Sequence, residues 1–152
     1  RCTADGKSQA EHYCTIFPDA KITKTNPVIT TFEIYGHTLC TLTGGEHPNA
    51  TLNPSISFSL WITDESETKR IRDLLSDGGS VMMPFQEYER SPAYGWCNDK
   101  YGVSRQVMYD NRPESTANAL VPSLMYTGAN NGKTAEAMEF YTSIFPASKL
   151  PV

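Results

Sequence analysis

Residues 55–62 read Ser-Ile-Ser-Phe-Ser-Leu-Trp-Ile, and the polar stretch that follows, from Asp64, ends at Gly78-Gly79. In the first segment Ile56, Phe58, Leu60 and Ile62 alternate with Ser55, Ser57, Ser59 and Trp61. A period of two places one set on an apolar face and the other on a more polar face, as in a half-buried strand. The second segment predicts a helix over Glu65–Ser76, capped by Asp64 with Glu67 three residues on. Ile71, Leu74 and Leu75 form its buried stripe, and the glycine pair supplies a left-handed exit. Three short strands are expected next, at Val81–Tyr88, Tyr94–Asn98 and Ser104–Tyr109, punctuated by Pro92 and Gly102. Strand, helix and three strands make one β-α-β-β-β unit.

Upstream the same order recurs. Ser8 and Glu11 have capping-box spacing, so a helix is expected from Ser8 to Phe17. Ala10, Tyr13, Cys14 and Phe17 fall on one face, and Pro18 stops the helix. Arg1–Ala4 reads as the tail of a strand entering it. Strands are expected at Val28–Tyr35 and Thr38–Thr43, joined by a turn at Gly36 and broken by Gly44-Gly45. One strand of this first unit has no clear place. Ile22 to Val28 reads as a loop, and a short one, as if residues were absent there. The fold class is therefore α+β, with two similar modules side by side over residues 1–110.

Asn111–Ala119 is polar and reads as a boundary. Beyond it Val121–Tyr126 suggests a strand and Thr134–Phe145 a helix. Residues 13–18 read Tyr-Cys-Thr-Ile-Phe-Pro and residues 141–146 read Tyr-Thr-Ser-Ile-Phe-Pro. Each is followed by a lysine and an aliphatic residue, Lys21-Ile22 and Lys149-Leu150. The offset from Pro18 to Pro146 is 128 residues, far beyond the roughly 20–50 of a solenoid unit. The expected organisation is a complete domain over residues 1–110, a linker over 111–119, and the opening of a second copy over 120–152. That second copy must find partner strands outside the sequence or in another chain. The chain also opens at Arg1 without an initiator Met, so its start is expected upstream.

Composition excludes several classes. The net charge of −4 over 152 residues argues against non-specific nucleic-acid binding. No apolar run approaches the ~18 residues of a membrane span. The four cysteines, Cys2, Cys14, Cys40 and Cys97, form no CxxC pair and no zinc-finger spacing. They read as reduced thiols of a cytoplasmic protein. The sequon at Asn49-Ala50-Thr51 is read as chance.

Several of these stretches together resemble a known group. They are Ala10–Lys21 with Ile16-Phe17-Pro18, Phe32-Glu33 before Gly36, Leu42-Thr43-Gly44-Gly45, Asn53-Pro54-Ser55-Ile56-Ser57-Phe58, Met83-Pro84, and Tyr94-Gly95-Trp96 through Asp99-Lys100-Tyr101-Gly102-Val103-Ser104. The chain resembles the PhnB-like proteins, labelled 3-demethylubiquinone-9 3-methyltransferase-like, of the vicinal-oxygen-chelate (glyoxalase/bleomycin-resistance) superfamily. The resemblance implies paired βαβββ modules curved into a half-open barrel around a pocket. It also implies a homodimer, or two fused domains that imitate one. The methyltransferase label has no support in a Gly-rich strand-loop-helix that would seat S-adenosylmethionine.

Metal-using relatives place His or Glu on four pocket strands to polarise vicinal oxygens. By the resemblance those positions fall on Ser55, on Gln106, and near Thr41 or Thr43, with one before Arg1. None is imidazole or carboxylate, so no metal and no cofactor are expected. His12 is expected at the surface of its helix, and His37 and His47 in solvated turns. Strand alternation then gives a neutral, hydrogen-bonding pocket face of Ser55, Ser57, Ser59 and Trp61, flanked by Thr41 and Thr43. Gln106 lies across it, and Tyr94 and Trp96 supply aromatic walls. The expected ligand-binding set is Thr41, Thr43, Ser55, Ser57, Trp61, Trp96 and Gln106. No catalytic constellation is visible, and Cys97 has no sequence neighbour that would activate it. The leading expectation is a metal-free cleft that binds a small organic ligand. The alternatives are a superfamily enzyme (isomerase, lyase, dioxygenase or methyltransferase) and a structural or regulatory dimer with a vestigial pocket.

Overall fold

A computed structural model of the chain describes residues 5–44, 52–89 and 91–148. Helix α1 spans Gly6–Ile16. Its cap is Asp5, whose Oδ1 accepts from the Ser8 amide at 2.9 Å and whose Oδ2 accepts from the Ser8 hydroxyl at 2.9 Å. The expected capping box at Ser8 is thus corrected: Asp5 is the better anionic acceptor, and Ser8 becomes its donor inside the first turn. Ala10, Tyr13, Ile16 and Phe17 are buried, and the Phe17 amide closes the helix on the Tyr13 carbonyl at 3.0 Å.

Three antiparallel strands follow, β1 (Lys21–Thr25), β2 (Ile29–Ile34) and β3 (His37–Leu42), in the order β1-β2-β3. The first occupies the stretch expected to be a loop and supplies the strand that had no place. Its sequence hid it because it is an edge strand exposed along nearly all its length, so no apolar alternation marks it. Thr30, Phe32 and Ile34 of β2 are buried toward α1, while Thr31 and Glu33 face away. Tyr35 and Gly36 turn the β2–β3 hairpin at φ 50° and 75°, and the Tyr35 amide is held by Asp19 at 2.7 Å.

The second module is β4 (Ile56–Ile62), α2 (Glu65–Ser76), β5 (Ser80–Tyr88), β6 (Ser91–Asn98) and β7 (Ser104–Tyr109). Asp64 caps α2 as expected, accepting from the Glu67 amide at 2.7 Å. Ile71 and Leu75 are buried, whereas Leu74 stays 39% exposed. Strand β4 lies parallel to β7, and with β8 (Ala119–Leu124) the sheet runs β5-β6-β7-β4-β8. Strand β8, Ala119–Leu124, pairs antiparallel with β4. The described part of the first module, α1-β1-β2-β3, repeats the order of α2-β5-β6-β7. The strand expected over Arg1–Ala4 lies outside the described residues, as do Cys2, His47 and the sequon.

One core serves both modules. Ala10, Tyr13, Ile16, Phe17, Phe32 and Ile34 meet Leu60, Ile62, Ile71, Leu75, Cys97, Val107 and Leu120. Within it Arg105 lies between the rings of Tyr13 and Phe58, 4.6 and 5.1 Å from their centroids. Its Nε bonds Asp99 Oδ2 at 3.2 Å. Asp99 Oδ1 accepts from the Tyr101 and Val103 amides, so the turn role expected of Asp99 is present, joined to a buried ion pair.

Helix α3, Thr134–Ile144, contrasts with α1. None of its residues is buried. Ile144 and Phe145, the sequence counterparts of Ile16 and Phe17, are 52% and 59% exposed.

Candidate functional site

The parity of β4 sorts its side chains. Phe58, Leu60 and Ile62 point into the core, so Ser57, Ser59 and Trp61 face the opposite side of the sheet. Neighbouring strands extend that second face. Ser59 lies beside Gln106 and Trp61 beside Met108 on β7; Trp96 lies beside Gln106 and Tyr94 beside Met108 on β6. Ser57 pairs with Ser123 on β8. The result is a face that carries hydroxyls, the Gln106 carboxamide, two indoles, a phenol and the Met108 thioether, opposite the helices.

These groups are bonded to one another. The Tyr94 hydroxyl donates to Gln106 Oε1 at 2.8 Å, and Gln106 Nε2 donates to Ser57 Oγ at 2.7 Å. Trp96 Nε1 donates to Ser104 Oγ at 2.7 Å, and the Ser59 and Ser123 hydroxyls share a bond of 2.7 Å. Burial, then Tyr88 beside it, pushes the Tyr94 phenol up to about 12, so it stays a protonated donor at neutral pH. At the rim the Arg112 guanidinium stacks on Trp61, 4.4 Å from the ring centroid. Asp110 holds that guanidinium with bonds of 2.7 and 2.8 Å and takes a third from Ser115. Trp61 Nε1 is buried and has no partner among the described residues.

A family model described as 3-demethylubiquinone-9 3-methyltransferase matches residues 3–108. The chain belongs to that family. No curated protein matches it. Among solved structures it is similar to a Bacillus cereus PhnB protein described as a 3-demethylubiquinone-9 3-methyltransferase. That match has 26% identity, a TM-score of 0.63, and covers 70% of this chain and 93% of that one. A Pseudomonas aeruginosa protein matches at 19% identity and TM-score 0.55, over 70% and 91% of the two chains. A glyoxalase-related enzyme from Fulvimarina pelagi matches at 14% identity and TM-score 0.52, over 78% and 91%. The last two show the fold alone. The PhnB-type resemblance and the mixed α+β, half-open architecture expected from sequence both stand.

For this PhnB-type chain the metal positions implied by the resemblance do not fit a divalent ion. Ser55, Gln106, Thr41 and Thr43 offer neutral oxygens, which bind transition metals poorly without imidazole or carboxylate. Thr41 donates to the Gly6 carbonyl, and the Thr43 hydroxyl accepts from the Gly6 amide at 2.8 Å. The strand-to-helix turn of the second module, Thr63-Asp64, holds no glycine, and Asp64 already takes its first amides. It gives no cradle for S-adenosylmethionine.

The expected site residues therefore fall into three groups. Ser57, Trp61, Trp96 and Gln106 share the sheet face opposite the helices, Ser57 buried and the others half-buried. Thr41 pairs with the buried Thr30, so it and Thr43 point toward α1 and fasten its N-terminus to β3. Ser55 sits just before β4, exposed, with its amide on Asn53 Oδ1 at 2.9 Å. Sequence reasoning missed Ser104, Met108, Ser123 and Arg112. Period two from Gln106 points to Ser104 and Met108; only the β4–β8 pairing brings Ser123, and only the ring stacking brings Arg112. His12 is half-buried against Tyr101, ring centroids 5.5 Å apart, rather than at the surface. Burial pushes the Cys97 thiol up to about 11, leaving little thiolate at neutral pH.

Two open clefts lie elsewhere. One of about 380 Å³ is lined by Pro18, Asp19, Tyr35, Glu67, Ala117 and Asn118. The other, about 530 Å³, adjoins the start of α2, where the Asp64 side chain already takes the Glu67 amide. The Gln106 face is a sheet surface rather than a cavity, with Ser57 and Ser59 buried within it and Trp61, Trp96 and Gln106 half-buried. Its case rests on convergent polar and aromatic groups, not on enclosure.

Proposed function

We propose that the face formed by Ser57, Trp61, Tyr94, Trp96 and Gln106 binds a small, planar organic ligand without a metal. The observation that carries this reading is the Tyr94–Gln106–Ser57 relay set between two indoles. Polar groups that fix orientation beside aromatic surface are the usual content of ligand sites. Both tryptophans of the chain lie on this face, so their emission reports on it. Titration with a panel of small aromatic compounds tests the reading. Compounds that shift the emission of the wild type and lose that effect in Gln106→Leu support it. A panel without effect, or binding unchanged by Gln106→Leu, contradicts it.

We further infer that residues 120–152 open a second copy of the domain over 1–110. The support is the match of α3 to α1, with Tyr141, Ile144 and Phe145 repeating Tyr13, Ile16 and Phe17. The apolar face of α3 calls for a sheet like β1–β3, which a homodimer or an intrachain pseudo-dimer supplies. The free thiols of Cys14, Cys40 and Cys97 support a cytoplasmic setting.

A further inference from the structure

We infer that the ligand of this face has a neutral, planar body at least two fused rings wide, lying from Gln106 across Ser59 to Val121 of β8. This rests on the ligand-binding reading above and adds the size of the ligand and a specificity-determining residue on β8. The family match ends at residue 108, so β8 lies outside the matched stretch. Its register nonetheless carries the face onward. Gln106 of β7 lies beside Ser59 of β4, and Ser59 pairs with Val121 of β8. Side chains that share a register on neighbouring strands stand on the same side of the sheet. Within this row Ser59 is 5% exposed, Gln106 is half-buried and Val121 is 41% exposed. Contact along the row therefore passes from the carboxamide to the valine, over the serine. Two strand spacings make that distance about 10 Å, more than a single six-membered ring covers.

Strand β8 is held firmly enough to serve as one side of a site. At its start Asn118 Oδ1 accepts from the Thr63 amide at 2.9 Å and from the Thr63 hydroxyl at 3.1 Å. At its end the Met125 amide donates to the Ser55 carbonyl at 2.9 Å. Between them Leu120 is buried in the shared core opposite Leu60, and the Ser123 hydroxyl shares its 2.7 Å bond with Ser59. Alternation then leaves Val121 on the ligand side, branched, apolar and open to water. Covering it removes apolar surface from water, and a second ring does this where a single ring held at Gln106 does not. The row Gln106–Ser59–Val121 carries no charged side chain, so the added affinity is apolar and asks for no charge on the ligand.

Benzamide and 2-naphthamide test this, since they share a neutral carboxamide head and differ by one fused ring. Binding is followed by ligand-observed NMR on the full chain. 2-Naphthamide is expected to bind about tenfold tighter than benzamide, from the apolar area of its second ring. Val121→Asp is expected to remove most of that advantage and to leave benzamide unchanged. Val121→Thr keeps the branched Cβ and is expected to give a smaller loss of the same kind. Gln106→Leu is expected to weaken both probes. Circular dichroism confirms that each variant is folded. Loss of 2-naphthamide binding in Gln106→Leu but not in Val121→Asp overturns the inference and leaves the ligand face standing. Equal weakening of both probes by Val121→Asp, or no advantage of 2-naphthamide in the wild type, also overturns it. Binding indifferent to Gln106→Leu, or absent for both probes at millimolar concentration, overturns the ligand face as well.

Discussion

The Tyr13 hydroxyl donates to Asp99 Oδ2 at 2.7 Å, joining α1 of the first module to the β6–β7 turn of the second. Burial pushes the Tyr13 phenol far up, so the donor is never lost to ionisation under ordinary conditions. The same carboxylate oxygen takes Arg105, whose guanidinium rests on the Tyr13 ring. Strand β7 thus carries Arg105 inward and Gln106 outward. The latch between modules and the candidate site are adjacent residues on opposite faces of one strand.

Breaking the ion pair should cost more than trimming the latch. Asp99→Asn leaves Arg105 buried without its counter-charge, for an expected loss of about 3–5 kcal/mol. Tyr13→Phe removes one hydrogen bond to a carboxylate that keeps other partners, for about 1–3 kcal/mol. Urea unfolding of both variants checks the order. A Tyr13→Phe loss as large as that of Asp99→Asn would contradict it.

The paired helices allow one substitution to be made twice. Ile16 is 2% exposed and Ile144 is 52% exposed. Ile16→Ala is expected to cost about 2–5 kcal/mol as a core deletion. Ile144→Ala is expected to stay within about 0.5 kcal/mol in dilute monomer, as for a surface change, and to cost more wherever the proposed second copy covers α3. Comparable losses in the same chain would mean that the α3 face is covered in solution.

The pH dependence of the rim follows from Asp110. Its bonds from Arg112, with the Ser115 hydroxyl and Arg112 amide adding to them, hold its carboxyl well below the usual range. A carboxylate depressed in the folded state adds stability above its unfolded pKa of about 3.9, and that share fades as pH falls toward the folded value. The stability gap between wild type and Asp110→Asn should therefore be widest near neutral pH and narrow below about pH 4. Urea midpoints across that range measure it. A gap that widens on acidification would contradict the assignment.

How far sequence alone reached depended on burial. Ser55–Ile62 alternates cleanly because β4 is an interior strand, flanked by β7 and β8, with Leu60 and Ile62 wholly buried. Asp64 was legible as a cap because its acceptor role is local. Lys21–Thr25 was not, because an exposed edge strand selects no apolar pattern. Ser8 misled because its spacing to Glu11 suits a cap, yet Asp5 lay three residues earlier with a stronger acceptor. For the site, parity on β4 gave Ser57 and Trp61 correctly to one face. Parity within β3 was internally right for Thr41 and Thr43, but only the Thr30–Thr41 pairing reveals that their shared face is the one under α1. Arg112 lies in the irregular stretch after β7, where no periodicity applies.

The central claim is that ligands settle on the Gln106 face rather than in the two clefts beside α2. Backbone and indole amide shifts, mapped as 2-naphthamide is added, test it most directly. The account predicts shifts clustered at Ser57, Tyr94, Trp96 and Gln106, including both indole signals. Shifts confined to Asp19, Tyr35, Glu67 and Asn118, or to the start of α2, would contradict it.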